Sequence, residues 1–224
     1  MQTSINGAPA FAHILVTLGK GESITAESGA MQSMSAELDM KAHLNGNFFS
    51  ALAKRFFAQE SFWVSTFTNN TEETANLVIT QDVPGEIKEI KLEEDRSVNL
   101  QRGAWLASAG NLKLKTKWSG FVSWFSGEGL FKLKASGREK GGKVWYGAYG
   151  GLIEKEIDGE MYIDNGFLAA WEDGIKLKIT LPGGFFSSMF GGEGFVIKAS
   201  GKGKVWIQTR SIKGLANWLN PKFS

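Results

Sequence analysis

The sequence predicts an all-β protein made of three tandem pseudo-repeats of a small β-sandwich, with short helical turns and a short C-terminal helix. Three observations carry that expectation. Apolar residues return at matching offsets around Gly29, Gly103 and Gly166, apolar and charged residues alternate along several segments, and 28 glycines punctuate the chain. Internal repetition is read first because it decides the architecture within which every other signal is placed.

Five residues before the three glycines stand Ile24, Val98 and Met161, and three before them Ala26, Leu100 and Ile163. Two residues after come Met31, Trp105 and Leu168; nine after, Leu38, Leu112 and Ile175; eleven after, Met40, Leu114 and Leu177. A second landmark follows in each unit, a phenylalanine three residues before a glutamate: Phe57 with Glu60, Phe125 with Glu128, Phe190 with Glu193. Apolar segments then close the units at Leu77-Val78-Ile79, Val144-Trp145-Tyr146 and Val205-Trp206-Ile207. The expected units are 10–83, 84–149 and 150–224 of one compact body, 1–224, joined by tight turns at Pro84-Gly85 and Gly150-Gly151.

Strands follow from alternation. Leu112, Leu114 and Thr116 face one way and Lys113, Lys115 and Lys117 the other; Ile175, Leu177 and Ile179 alternate with Lys176 and Lys178 in the same manner. Glycine pairs such as Gly141-Gly142 and Gly183-Gly184 read as turns between strands of about 4 to 8 residues. Helical spacing occurs before each repeated glutamate, in Phe49, Leu52, Ala53, Phe56 and Phe57, more briefly in Phe121, Trp124 and Phe125, and again in Phe186, Met189 and Phe190. At the C-terminus Ser211 is placed to cap a helix carrying Ile212, Leu215, Trp218 and Leu219, which Asn220-Pro221 ends.

Composition narrows the function. With 42% hydrophobic residues and eight Trp in 224 residues there is ample material for a core. A formal charge of +2 provides no broad attraction to nucleic acid or anionic lipid, so such binding needs a local patch. The absence of cysteine rules out disulfides, thiolate nucleophiles and Cys-ligated metals, and fits a reducing cytoplasm. No stretch approaches the roughly 20 apolar residues of a membrane span, and no secretory pattern opens the chain. The expected protein is cytoplasmic, soluble or at most peripheral.

Pro84-Gly85-Glu86-Ile87, Arg102-Gly103-Ala104-Trp105-Leu106-Ala107-Ser108, Phe125-Ser126-Gly127-Glu128-Gly129, Asp164-Asn165-Gly166 and Gln208-Thr209-Arg210-Ser211 occur in that order. Together they resemble the family named for altered inheritance of mitochondria protein 24, in its prokaryotic branch, over about residues 10 to 219. The resemblance implies a fold like that of the tryptophan RNA-binding attenuator protein, a β-sandwich related to double-stranded β-helices, and a ring- or trimer-building habit. It brings no catalytic residues and no cofactor.

The repeated carboxylates Glu60, Glu128 and Glu193 are candidate ligand or interface residues: three pseudosymmetric carboxylates can converge on a cation or polar ligand, or each can accept backbone N–H bonds in a Gly-rich turn. Phe56, Phe57, Phe121, Trp124, Phe125, Phe186, Met189 and Phe190 are candidates for an apolar interface or for plugs closing the sandwiches. Lys54-Arg55 beside Phe56-Phe57 makes that turn the candidate membrane contact. For catalysis the inventory is thin: His13 and His43 are the only histidines, neither in a catalytic motif, and Asp158 and Asp164 flank Gly159-Glu160 as residues around a hairpin. The lysine faces with Trp118 suit RNA, yet the first unit offers Asp39 and Lys41 at matching positions, which breaks a uniform basic belt.

The expected function is that of a non-catalytic oligomeric β scaffold or binding protein, a homotrimer at first guess, with no cofactor or metal. A small-ligand-binding module is the alternative, followed by an RNA-binding or peripheral membrane-contact protein. Nucleic acid is the less expected partner, and an unidentified protein or small molecule remains open.

Overall fold

A computed structural model of the protein describes residues 1–44, 63–101, 103–118, 131–180 and 196–223. The first part of the chain forms β1 (Gln2–Asn6), β2 (His13–Leu18), β3 (Ser23–Glu27), β4 (Met31–Met34), β5 (Leu38–Leu44), β6 (Trp63–Asn69) and β7 (Ala75–Thr80). The middle forms β8 (Ile87–Leu92), β9 (Ser97–Gln101), β10 (Trp105–Trp118) and β11 (Phe131–Gly147). The last part forms β12 (Leu152–Asp164), β13 (Leu168–Glu172), β14 (Ile175–Thr180), β15 (Val196–Gln208) and a helix, α1 (Ile212–Leu219). The all-β expectation holds, and so does the C-terminal helix: the Ser211 Oγ accepts a hydrogen bond from the Gly214 N–H at 3.0 Å, satisfying one of the first turn's free donors.

All strand ladders among the described residues are antiparallel, in two open sheets. One runs β1-β2-β7-β4; the other runs β12-β15-β13-β9-β11-β10-β3-β6-β5, with β14 on β15 and β8 on β11. Alternation sets which face is buried. In β2, Ile14, Val16 and Leu18 are buried while Leu15 is exposed; in β10, Leu112 and Leu114 are half-buried while Lys113 and Lys115 face out.

Three apolar clusters form the core. Ile14, Ile24, Phe67, Leu77 and Ile79 centre the first, Leu100, Leu133, Val144 and Tyr146 the second, and Ile163, Leu168, Ile197 and Val205 the third. The closing apolar segments join them. Trp145 leaves its neighbours to enter the first cluster, and Trp206 enters the second while Val205 stays in the third. A strand buried on both faces has no polar alternation to show, which is why Val144-Trp145-Tyr146 and Val205-Trp206-Ile207 read as continuous apolar runs.

Strand length departs from the expected 4 to 8 residues: β10, β11, β12 and β15 have 14, 17, 13 and 13. Gly141-Gly142, read as a turn, lies within the continuous strand β11 instead, and Gly183-Gly184 lies outside the described residues. Along β10 and β11 the register jumps from Gly110↔Gly142 to Leu112↔Gly137, so residues 138–141 bulge opposite Asn111, whose Nδ2 donates to the Glu139 carbonyl at 3.0 Å. The segment around Gly159 is likewise no hairpin. Gly159 pairs with Gly201 inside the β12–β15 ladder, at φ of 128° and 125°, a conformation that side-chain-bearing residues avoid.

Candidate functional site

Three strand starts meet at one joint. Gly85, just before β8, forms parallel bridges with Phe11, before β2, and with Gly150, before β12. The Ala12 N–H donates to the Gly85 carbonyl at 3.0 Å, the Glu86 N–H to the Gly150 carbonyl at 2.8 Å, and the Gly150 N–H to the Pro84 carbonyl at 3.0 Å. Only glycine fits at 85, since a Cβ there would lie 1.9 Å from the Ala148 oxygen. The turns expected at Pro84-Gly85 and Gly150-Gly151 are thus also points of contact between distant parts of the chain.

Beside this joint lies a cavity of about 310 Å³, lined by residues from the ends of β7, β11 and β15, among them Gln81, Asp82, Tyr149 and Gln208, with Ile212 of α1 at its edge. Its amides are held in place by backbone. Gln208 accepts from the Tyr149 N–H at 3.0 Å through Oε1 and donates to the Gly166 carbonyl at 2.8 Å through Nε2; Gln81 Nε2 donates to the Ala148 carbonyl at 3.1 Å. The volume suits a small polar molecule, at the lower end of ligand pockets. Among the described residues no three His, Cys, Asp or Glu side chains gather as a metal would require.

Charged groups tie the sheet together where β13 meets β9. Asp173 accepts hydrogen bonds from Asn99 Nδ2 at 2.8 Å and from Ser97 Oγ, and pairs with Lys134. Burial alone would raise its pKa, but these donors together outweigh burial and hold it down to about 2. Next to it, Glu172 accepts from the Lys204 N–H at 3.0 Å and pairs with Arg96 at 3.4 Å. On β12, Glu154 bonds Lys204 Nζ at 2.6 Å and Trp206 Nε1 at 2.9 Å, and the Lys204 bond leads in lowering its pKa. Tyr146 packs edge-on against Trp206, ring centroids 6.1 Å apart. Burial, then Glu154 and Glu86, push its pKa up, so its hydroxyl stays protonated.

The candidates from the repeated landmarks, Glu60, Glu128, Glu193, Phe56, Phe57, Phe121, Trp124, Phe125, Phe186, Met189 and Phe190, lie outside the described residues. The strand ends that flank them are paired: Leu44↔Trp63, Trp118↔Phe131 and Thr180↔Val196. Other expectations fall on described residues. His13 Nδ1 lies 3.4 Å from the Phe11 carbonyl and His43 Nδ1 3.3 Å from that of Lys41, both exposed contacts. Asp158 pairs with Lys202 at 3.0 Å, and Asp164 accepts from the Gly166 N–H at 3.4 Å. The lysines Lys113, Lys115, Lys176 and Lys178 are exposed. Sequence reasoning missed Asp173, Glu154 and the cavity-lining Gln81, because their partners come from strands far away in the chain.

Open antiparallel sheets followed by a short C-terminal helix, with a cavity beside the joint of three strand starts, define an all-β protein. The chain belongs to the AIM24 family: the family model described as "Mitochondrial biogenesis AIM24" matches residues 3–210. It is similar to a Streptococcus pyogenes serotype M6 protein described as uncharacterized, 25% identical over 228 aligned residues that cover 98% of this chain and 90% of the relative. It is also similar to the crystal structure of a protein from Streptococcus pyogenes, with a TM-score of 0.80, 25% identity and 99% of each chain covered. No helix among the described residues is long and apolar enough to cross a membrane.

Proposed function

We propose that the protein is a non-catalytic cytoplasmic β scaffold of three pseudo-repeats, each like the attenuator protein's sandwich, that assembles head to tail into a homotrimer. The observation that carries this reading is a mismatch in edge pairing. Ala107 of β10 pairs with Ala26 of β3, and Ala170 of β13 with Leu100 of β9; the first partners stand four residues after a landmark glycine and the second three before one. The remaining positions at those offsets are Ser33 of β4 and Ile163 of β12. Yet among the described residues β4 forms a ladder with β7 alone, and β12 with β15 alone. Unpaired edges invite strand addition, and a heterologous contact repeated about an axis closes a ring. Both histidines sit against main-chain carbonyls of their own neighbourhoods, which favours a role without catalysis.

Light scattering tests this reading. The expected wild-type mass is three times that of the chain, unchanged on dilution. Ser33→Lys and Tyr162→Lys, each placing a charge on an open edge, are expected to give monomers with unchanged melting. A monomeric wild type contradicts the reading.

The cavity, where Gln81, Asp82 and Gln208 stand among apolar residues, favours a second reading, a small-ligand-binding module, for which the repeated glutamates are further candidates. Glu128→Gln separates their roles: loss of ligand with unchanged melting supports binding, and loss of stability supports a turn-bonding carboxylate.

A further inference from the structure

We propose that the C-terminal segment from Arg210 to Phe223 docks the protein on an anionic lipid surface. The first observation is apolar exposure. No residue of α1 is buried, although Ile212, Leu215 and Leu219 recur at the spacing of one helical face and Trp218 stands beside them. Ile212 is 52% exposed, Trp218 62% and Phe223 82%. Trp105, Trp145, Trp171 and Trp206 are all buried, whereas Trp218, like Trp63 at 56%, stands exposed. Beneath the helix a groove of about 380 Å³ remains, bordered by Tyr149, Phe167, Leu215 and Trp218.

The second observation is charge. Beyond Glu193 the sequence contains no Asp or Glu. Lys198, Lys202 and Lys204 are neutralised by Glu160, Asp158 and Glu154 on β12. Arg210, Lys213 and Lys222 have no carboxylate partner among the described residues. Arg210 donates to the Thr209 carbonyl, and the Lys222 Nζ lies 4.6 Å from the Trp218 ring centroid. Three cations without a carboxylate partner among the described residues thus accompany exposed aliphatic and aromatic side chains, unlike the neutralised lysines of β15.

This combination fits one occupant. A short amphipathic helix lies in the plane of the membrane with its apolar groups among the acyl chains and its cations at anionic headgroups. Indole and phenyl rings favour that boundary because one side is apolar and the other wet. Eight residues are far too few to span. Single-stranded RNA would call for stacking platforms along a basic track, whereas Ile212, Leu215 and Leu219 have no face on which a base can stack. The formal charge of +2 for the whole chain does not oppose the local patch. Docking by this segment does not depend on the oligomeric state.

Co-sedimentation of the full chain with vesicles tests the proposal. Phosphatidylglycerol-containing vesicles are expected to retain at least about ten-fold more protein than phosphatidylcholine alone, with retention falling as salt rises. Trp218→Ser, and the pair Lys213→Glu with Lys222→Glu, are each expected to reduce retention about ten-fold at unchanged melting temperature, since the side chains altered are exposed. Brominated lipid gives a readout independent of variant stability: it is expected to quench wild-type fluorescence, and to quench Trp218→Phe less. Absence of retention on anionic vesicles, equal retention of the folded variants, or binding to polyuridylate in place of vesicles overturns the proposal.

Discussion

Trp145 and Tyr146 are consecutive in the chain and buried in different cores, Trp145 with Ile14, Phe67 and Leu106, Tyr146 with Leu100, Leu133 and Trp206. Their strand separates two apolar clusters, so neither core is complete without the other's sequence. Alternation of side chains along a strand makes this division unavoidable once both faces are covered.

Tyr146 carries its hydroxyl into that core without a hydrogen-bond partner among the described residues, and burial, followed by the nearby Glu154 and Glu86, holds it protonated. An unpaired buried polar group costs about 1–3 kcal/mol. Tyr146→Phe is therefore expected to leave the protein as stable as wild type or more stable by about 1 kcal/mol, read from urea unfolding. A loss of more than about 1 kcal/mol would show that the hydroxyl is paired in solution.

The joint at Gly85 predicts a contrast between two glycines. Gly85→Ala brings a methyl group against the backbone of Ala148 and Gly150 and is expected to cost more than about 3 kcal/mol or to prevent folding. Gly21, at φ 73° with open space around it, loses only about 1 kcal/mol on substitution by Ala. Thermal melts of the two variants check the order.

Asp173 gives the sheet an acid-sensitive tie. Its pKa falls from 3.8 to about 2 on folding, so the unfolded chain takes up the proton first. The stabilisation is complete above about pH 4 and is lost as the pH falls through about 2. The site is partly exposed, so its worth at neutral pH is expected to be about 1 kcal/mol, not the full value of the shift. Melting temperatures of wild type and Asp173→Asn are expected to differ at pH 7 and to converge near pH 2.

Much of the fold was legible because its signals are local. The lysine–leucine alternation of β10 and β14 identifies strands with one wet face, and Ser211 followed by Ile212, Leu215 and Leu219 identifies a capped helix. What was not legible depends on partners. Gly141-Gly142 looks the same in a tight turn and in a bulge; only Gly110 and Leu92 on neighbouring strands decide between them. Gly159 reads as a hairpin until Gly201 is seen opposite it. Asp173 carries no sequence signal, since its donors Ser97, Asn99 and Lys134 lie 76, 74 and 39 residues away. The landmark glutamates and aromatics were visible by repetition alone, and they stand outside the described residues.

Native mass spectrometry on protein taken directly from its expressing cells tests the scaffold most directly, because it reads stoichiometry and retained small molecules together. The scaffold predicts a clean mass of three chains that persists on dilution. A single-chain mass at every concentration contradicts it, and a discrete extra mass released on denaturation would put the ligand-binding reading first.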